Sequence, residues 1–299
     1  MDAQLAIQLV VNGLTMGSIY ILMVLGLQVI IRTTGIVNFA HGQFYVIGAY
    51  AFWFLYVLIG LNIGLAIALT LVVMMILGGL SYRGIFEFIR RRFRPDTPLS
   101  QKFLMSAMAS VGLMMILARI IILIFGSETR GIPSMFPAIL TIGDVRLPAE
   151  RLAVVLISTS IVALLFLFFA KTRLGKAMRA VMSDADAGSL MGINAGRIYL
   201  VSFAFGCSLA GIAGVLIGSV FSLSPDMAGD IMSMSFLVMV LGGVRSYTGA
   251  IMGGVVVGLA LSVGYQFLGG AISYVVVFAG TMLFLAARPG GILHELTER

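Results

Sequence analysis

Charge is what this sequence has least of: only 10% of its 299 residues are Asp, Glu, Lys or Arg. A water-soluble domain carries about 25%, because polar and ionic groups have to cover its surface. With 60% hydrophobic residues and a mean hydropathy of +1.11, this surface has to face lipid instead. There is one cysteine, Cys207, set in an apolar run, so no disulfide framework forms within the chain.

Motifs for chemistry are missing as well. A phosphate-cradling GxxxxGK[ST] loop is absent, because Gly175-Lys176 lacks both the upstream glycine and a following hydroxyl residue. There is no HExxH, no paired-cysteine metal site and no GxSxG elbow. The expectation is a chain with no catalytic, cofactor-binding or metal-binding residues, unable to hydrolyse ATP by itself. The apolar runs also hold no aspartate or glutamate, and proton- or sodium-coupled carriers commonly rely on such groups or on broken helices.

What remains is long apolar runs. A span takes about 20 residues to cross the hydrocarbon layer. That length places helices near 6–31, 36–59, 62–81, 103–125, 151–170, 198–219, 232–244, 249–268 and 272–287. The seventh is short and ends on Gly242-Gly243, as a half-helix or re-entrant segment does. The predicted fold is therefore all-α, a polytopic transmembrane helical bundle of about eight or nine spans, and a single transmembrane domain covers 1–299.

The net charge of +7 does not point to nucleic acid, because the basic residues sit in short loops between apolar runs. With the N-terminus outside, only Arg130, Arg146 and Arg151 fall outside, and Arg119 lies within a span. The rest of the 19 basic residues, from Arg32 and the Arg-rich stretch through Arg94 to Arg299, fall inside. That bias needs an odd number of spans and puts the C-terminus inside. The chain opens Met1-Asp2 without a basic n-region, so the first run reads as a retained span rather than a cleaved signal.

Three connections matter: a cytoplasmic loop over 83–102, an outer (periplasmic) loop over 126–150 and a cytoplasmic segment over 171–197. The outer loop carries TIGDVRL, which predicts a short hairpin turning at Gly143-Asp144. Glu128, Asp144, Glu150, Asp226 and Asp230 form an acidic outer rim, either contacting a partner or simply solvated. The 171–197 segment predicts an amphipathic helix, with Met178, Val181, Met182 and Ala185 on one face and Lys176, Arg179, Ser183, Asp184 and Asp186 on the other. Such a helix rests on anionic lipid or sets its apolar face into a groove on a partner protein.

Small residues recur every fourth position, at Gly206, Ala210, Gly214 and Gly218 and again at Ala250, Gly254 and Gly258. This spacing lets helix backbones approach closely in lipid and marks packing, not chemistry. Arg32-Thr33-Thr34-Gly35 has a faint echo in Arg245-Ser246-Tyr247-Thr248-Gly249, the kind of internal repeat transporters carry. Polar residues near spans are few. Asn38, His41 and Gln43 at the cytoplasmic end of the second span, with Asn12 in the first, are the candidate lining of a pathway. The competing roles are a helix cap for Asn38, core packing for His41, and helix–helix contacts for Asn12, Tyr20 and Gln28. Arg119 snorkels to the outer interface or faces a pore.

Four stretches together carry a resemblance. They are Gly13-Leu14-Thr15-Met16-Gly17-Ser18-Ile19-Tyr20, and Gly35-Ile36-Val37-Asn38-Phe39-Ala40-His41-Gly42-Gln43-Phe44 with Gly48-Ala49-Tyr50. The third is Leu174-Gly175-Lys176-Ala177-Met178-Arg179-Ala180 through Gly192-Ile193-Asn194 and on to Ala210-Gly211-Ile212-Ala213-Gly214. The last is Leu241-Gly242-Gly243 with Gly249-Ala250 and Gly253-Gly254. Jointly the chain resembles the branched-chain amino acid permeases of bacterial ABC importers, the shorter LivH-type subunit.

The resemblance implies an ABC importer permease fold in the bacterial inner membrane. It also implies a second permease subunit, two cytoplasmic ABC ATPases that hold the ATP, and a periplasmic solute-binding protein. In such families a cytoplasmic segment docks into the ATPase. Here that role would fall to Met178, Arg179, Val181, Met182, Asp184 and Gly192. The family's cargo varies, from branched-chain amino acids to urea and small carboxylates, and the Arg-rich 83–94 stretch and Arg119 depart from its usual pattern. The alternative class is a stand-alone channel or secondary carrier for a small neutral solute such as urea.

Overall fold

The computed structural model describes residues 3–92, 97–142, 145–288 and 290–292. It is an all-α polytopic bundle with one small hairpin, and its chain divides into two compact units. Eight helices among the described residues are long and apolar enough to cross a membrane: 4–34, 63–91, 100–125, 149–171, 195–220, 225–242, 247–268 and 270–287.

The first unit comprises residues 1–25, 133–160 and 233–299. Its axis is the first part of α1 (Ala3–Thr34) running antiparallel to α11 (Tyr247–Leu268). Gly13 lies against Gly258, Gly17 lies against Gly254, and Ser262 Oγ donates to the Leu9 carbonyl at 2.7 Å. A Cβ on Gly17 would stand 2.6 Å from the Gly254 carbonyl oxygen, so the two backbones touch with no side chain between them. At the turn between α10 (Ala228–Gly242) and α11, Gly242 and Gly249 meet in the same way. α12 (Gly270–Ala287) returns beside α11, where Ser273 packs on Gly264.

The hairpin β1 (Ile139–Ile142) and β2 (Val145–Pro148) pairs Leu140 with Leu147. Its strands lie where the TIGDVRL pattern put them, while the turn residues Gly143 and Asp144 lie outside the described residues, as do Arg94 and Arg299. α6 (Ala149–Lys171) follows directly. Glu150 in its first turn accepts hydrogen bonds from Ser134 Oγ and, at 3.0 Å, from the Met135 N–H. Glu150 is buried, so this carboxylate closes the loop on itself and leaves the expected acidic rim. Glu128, Asp226 and Asp230 are exposed.

The second unit comprises residues 26–132 and 161–232 and is built around α9 (Ala195–Val220). Each small residue of the α9 stripe admits a different neighbour. Gly206 takes the Gly26 carbonyl, Gly214 takes the Tyr45 carbonyl, and Gly218 takes Ile132 and Leu223, with Ala210 fully buried between them. Cys207 and Ala204 pack on Gly78 of α3 (Ile63–Ser81). Dispersion across such close contacts holds helices together in lipid, where water supplies no driving force between them.

Two spans differ from the expected pattern. The run 36–59 is not one apolar helix. α2 (His41–Trp53) begins five residues later, continues as a π-helical turn over Phe54–Leu58, and is not among the eight candidate spans. The polar Asn38, His41 and Gln43 at its start explain the shortening, and burial of Phe44, Tyr45, Tyr50 and Phe52 keeps it inside the unit.

Conversely, the loop expected from 83 starts as helix. After α3 a π turn, Tyr82–Phe86, leads into α4 (Glu87–Arg91). Tyr82 and Phe86 pack on Phe203 with ring centroids 5.7 and 4.9 Å away, and Glu87 pairs with Arg91 at 2.6 Å. Aromatic burial thus carries the helix into the Arg-rich stretch. α5 (Leu99–Phe125) completes the unit. Its Arg119 is exposed on the same outward surface as Met115, Ile116 and Leu123 and does not face the unit's interior.

Candidate functional site

Two places in the second unit gather the residues singled out by sequence. One is the segment between α6 and α9. Thr172 caps α7 (Arg173–Ser183), its Oγ1 accepting the Gly175 N–H at 2.9 Å, and Gly175 rests against the Phe168 carbonyl at the end of α6. A side chain at position 175 would strike that carbonyl, so glycine permits the sharp turn out of α6.

α7 is amphipathic as its spacing predicts, but its apolar face is already covered. Met178 is 0% and Val181 4% exposed, and Met182 is half-buried. Met178 and Val181 therefore belong to the chain's own packing and are not open to a partner. Lys176 and Arg179 face outward.

Beyond α7 the chain builds a short, defined projection. Asp184 caps α8 (Ala185–Leu190), its Oδ1 accepting the N–H groups of Asp186 and Ala187 at 2.9 and 3.0 Å. The other end closes on Gly192, with φ +83°. The Gly192 N–H donates to the Ser189 carbonyl and the Ile193 N–H to the Gly188 carbonyl, both at 3.0 Å. This paired closure is a Schellman motif, whose left-handed position suits glycine. Asp184 and Gly192 thus shape the segment. At its tip Leu190 is 89% and Met191 84% exposed, two large apolar side chains beyond the eight candidate spans that none of the described residues covers. The amphipathic pattern thus marks a face that packs against the chain itself, and the exposed apolar pair of the segment is Leu190-Met191, just before the terminating glycine.

The second place is the break between α1 and α2. The chain leaves α1 at Thr34, turns at Gly35 and re-enters helix at His41. The Phe39 N–H donates to Ser110 Oγ at 3.1 Å. Ser110 lies about 16 Å along α5 from its first residue at 1.5 Å per residue, so the break sits at mid-helix depth and not at the cytoplasmic mouth expected for it.

Ala40, not Asn38, is the N-cap residue of α2. Asn38 acts one step earlier: its Oδ1 accepts the Ala40 N–H at 3.1 Å. Asn38 and His41 are 0% and Gln43 6% exposed. A Cβ on Gly26 would stand 3.2 Å from His41 Nε2, and one on Gly42 would stand 2.8 Å from the Ala228 carbonyl. The break is therefore walled by the small residues of α1, α9 and α10. Asn12 belongs to the first unit, half-buried on α1.

The chain matches the family model described as branched-chain amino acid transport system / permease component over residues 9–287. It belongs to that family of membrane permeases. Among curated relatives it is 30% identical to the LivH permease protein of the high-affinity branched-chain amino acid transport system of Salmonella typhimurium, over 96% of this chain and 95% of the relative. The LivH protein of Escherichia coli K12 gives the same figures, and BraD of Pseudomonas aeruginosa is 29% identical over the same shares. Among solved structures, PsaBC from Streptococcus pneumoniae in complex with a Fab aligns with a TM-score of 0.48 at 13% identity, covering 91% of this chain and 89% of that one. The family is one of transport subunits, and the multi-pass bundle described above is its architecture here.

Proposed function

We propose that this chain is the permease subunit of an ABC importer for branched-chain amino acids or related small solutes, its pathway opened by separate ATPase subunits. The projection carrying Leu190 and Met191 supports this reading above all. It is capped at both ends, held to the bundle by the buried face of α7, and bare at its tip. A rigid lever with an apolar tip suits a cleft on a partner protein, and the chain carries no ATP-hydrolysing motif of its own.

On this reading the complex contains a second permease subunit, two cytoplasmic ABC ATPases that bind the ATP, and a periplasmic solute-binding protein. Arg179 and Lys176, exposed on α7, serve as further charged contacts. The placement is the bacterial inner membrane, with the C-terminus and the 171–197 segment inside, supported by the excess of Lys and Arg on one side; eight spans, an even number, set the N-terminus inside too, where the odd count expected from the sequence puts it outside. Arg119 reaches the outer interface by snorkelling, as its exposed position favours.

The test is reconstitution in liposomes with and without the ATPase subunits and the binding protein. Leucine uptake is expected only with ATP and all subunits. Movement of leucine or urea by the chain alone overturns the proposal in favour of the stand-alone channel. Replacing Leu190 and Met191 together by Asp is expected to release the ATPase during purification while the permease still inserts.

A further inference from the structure

We infer that the break between α1 and α2 is a binding site inside the permease for the charged end of a zwitterionic α-amino acid, with Asn38 facing its carboxylate and Gln43 its ammonium group. The inference rests on the transport reading above and adds a point of recognition within the bundle itself.

The observation that carries it is a pair of orphaned atoms. Gln43 is the third residue of α2, the position from which a glutamine side chain ordinarily reaches back to the N–H of the N-cap residue. That N–H belongs to Ala40 and is already taken by Asn38 Oδ1. Gln43 Oε1 is left buried with no hydrogen-bond partner among the described residues, and so is Asn38 Nδ2, the other half of the amide that holds Ala40. Leaving a buried polar group unpaired is unfavourable, and the two at this turn are one donor and one acceptor.

That complement matches an amino acid's backbone. A carboxylate accepts from the Asn38 amide and lies at the positive end of the α2 helix dipole. An ammonium group donates to the Gln43 carbonyl. Gly26 lies against Gly206, Leu209 and the His41 imidazole, and Gly42 against Ala228 and Met232, so small and apolar residues line the turn together with His41. Charge pairing is stronger in such a setting than in water, and helix breaks deep in a bundle are where transporters place their ligands.

The test uses the purified permease complex in nanodiscs, without the binding protein, so that only the membrane subunits recognise the ligand. The probe is radiolabelled L-leucine, with L-leucinamide and 4-methyl-2-oxopentanoate as competitors lacking the carboxylate and the ammonium group. Leucine is expected to bind, and neither competitor is expected to displace it at equal concentration. Asn38→Asp keeps the bond to Ala40 but sets a negative charge against the carboxylate. It is expected to weaken leucine binding by at least about tenfold, the scale of one lost charge-assisted hydrogen bond. Gln43→Leu removes the orphaned acceptor and is expected to raise thermal stability while also weakening leucine binding.

Unchanged leucine binding in both variants overturns the site. So does a Gln43→Leu protein that is more stable and transports normally, since the break would then hold only a buried water. Uptake by the intact complex separates the two readings. Absence of any ATP-driven amino acid uptake defeats the transport proposal, whereas normal uptake with no binding by the nanodisc complex defeats only the site.

Discussion

The guanidinium of Arg90 lies 3.5 Å above the ring of Tyr199. Arg90 is the penultimate residue of α4, the helical extension of α3, and Tyr199, itself buried, stands at the foot of α9 just beyond the α8 projection. The contact ties the projection's anchor to a second helix, so a pull on one reaches both. A partly desolvated cation–π pair contributes about 1–2 kcal/mol. Arg90→Ala is expected to lower thermal stability by that amount and to reduce transport per ATP hydrolysed in the reconstituted complex, with Arg90→Lys recovering most of the loss. Coupling equal to wild type in Arg90→Ala would show that the pair is structural only.

The glycine stripe gives an internal control. Gly214→Val and Gly206→Val drive side chains into the carbonyls of Tyr45 and Gly26. Overpacking of this kind costs about 1–3 kcal/mol or more, and a large loss of folded protein on size-exclusion chromatography is expected. Gly112→Ala in α5 and Gly280→Ala in α12 meet nothing within 4 Å. They are expected to be neutral or to stabilise by up to about 1 kcal/mol.

Glu150 secures the outer loop through Ser134 and the Met135 N–H. Glu150→Ala leaves that buried amide unpaired, at a cost of about 1–3 kcal/mol. Faster hydrogen exchange at Met135 and quicker proteolysis between residues 126 and 148 are the expected readouts, with the rest of the bundle unchanged. Glu150→Gln keeps one acceptor and is expected to fall between.

Gly192 holds a left-handed turn that a side chain strains by about 1–2 kcal/mol. Gly192→Ala is expected to loosen α8 and weaken ATPase co-purification without altering membrane insertion. Asp184→Ala, which removes the opposite cap, is expected to act alike at about 1 kcal/mol. Full ATPase retention in the double variant would show that the shape of α8 does not matter for docking.

How far the sequence spoke for itself differs from place to place. Apolar runs near 20 residues gave α3, α5, α6, α9, α11 and α12 to within a few residues, because lipid imposes length directly. The run 36–59 misled, because Asn38, His41 and Gln43 look like a wet helix end and are in fact buried in the interior. Sequence marks polarity, not depth, and the Ser110 contact that sets the depth lies 71 residues away. For α7, periodicity located an apolar face but not what covers it. Met178 and Val181 face inward, and the bare pair Leu190-Met191 followed no period at all. Arg90 read as part of a charged loop, because a stacking partner more than a hundred residues distant leaves no local trace.

Cys207, the one thiol in the chain, is fully enclosed against Gly78. A maleimide reagent in water therefore finds nothing to modify on the folded protein. A cysteine introduced at Leu190 or Glu128 would be the sole target for a spin label or fluorophore, and motion of the lever or the outer loop could be followed in otherwise native protein.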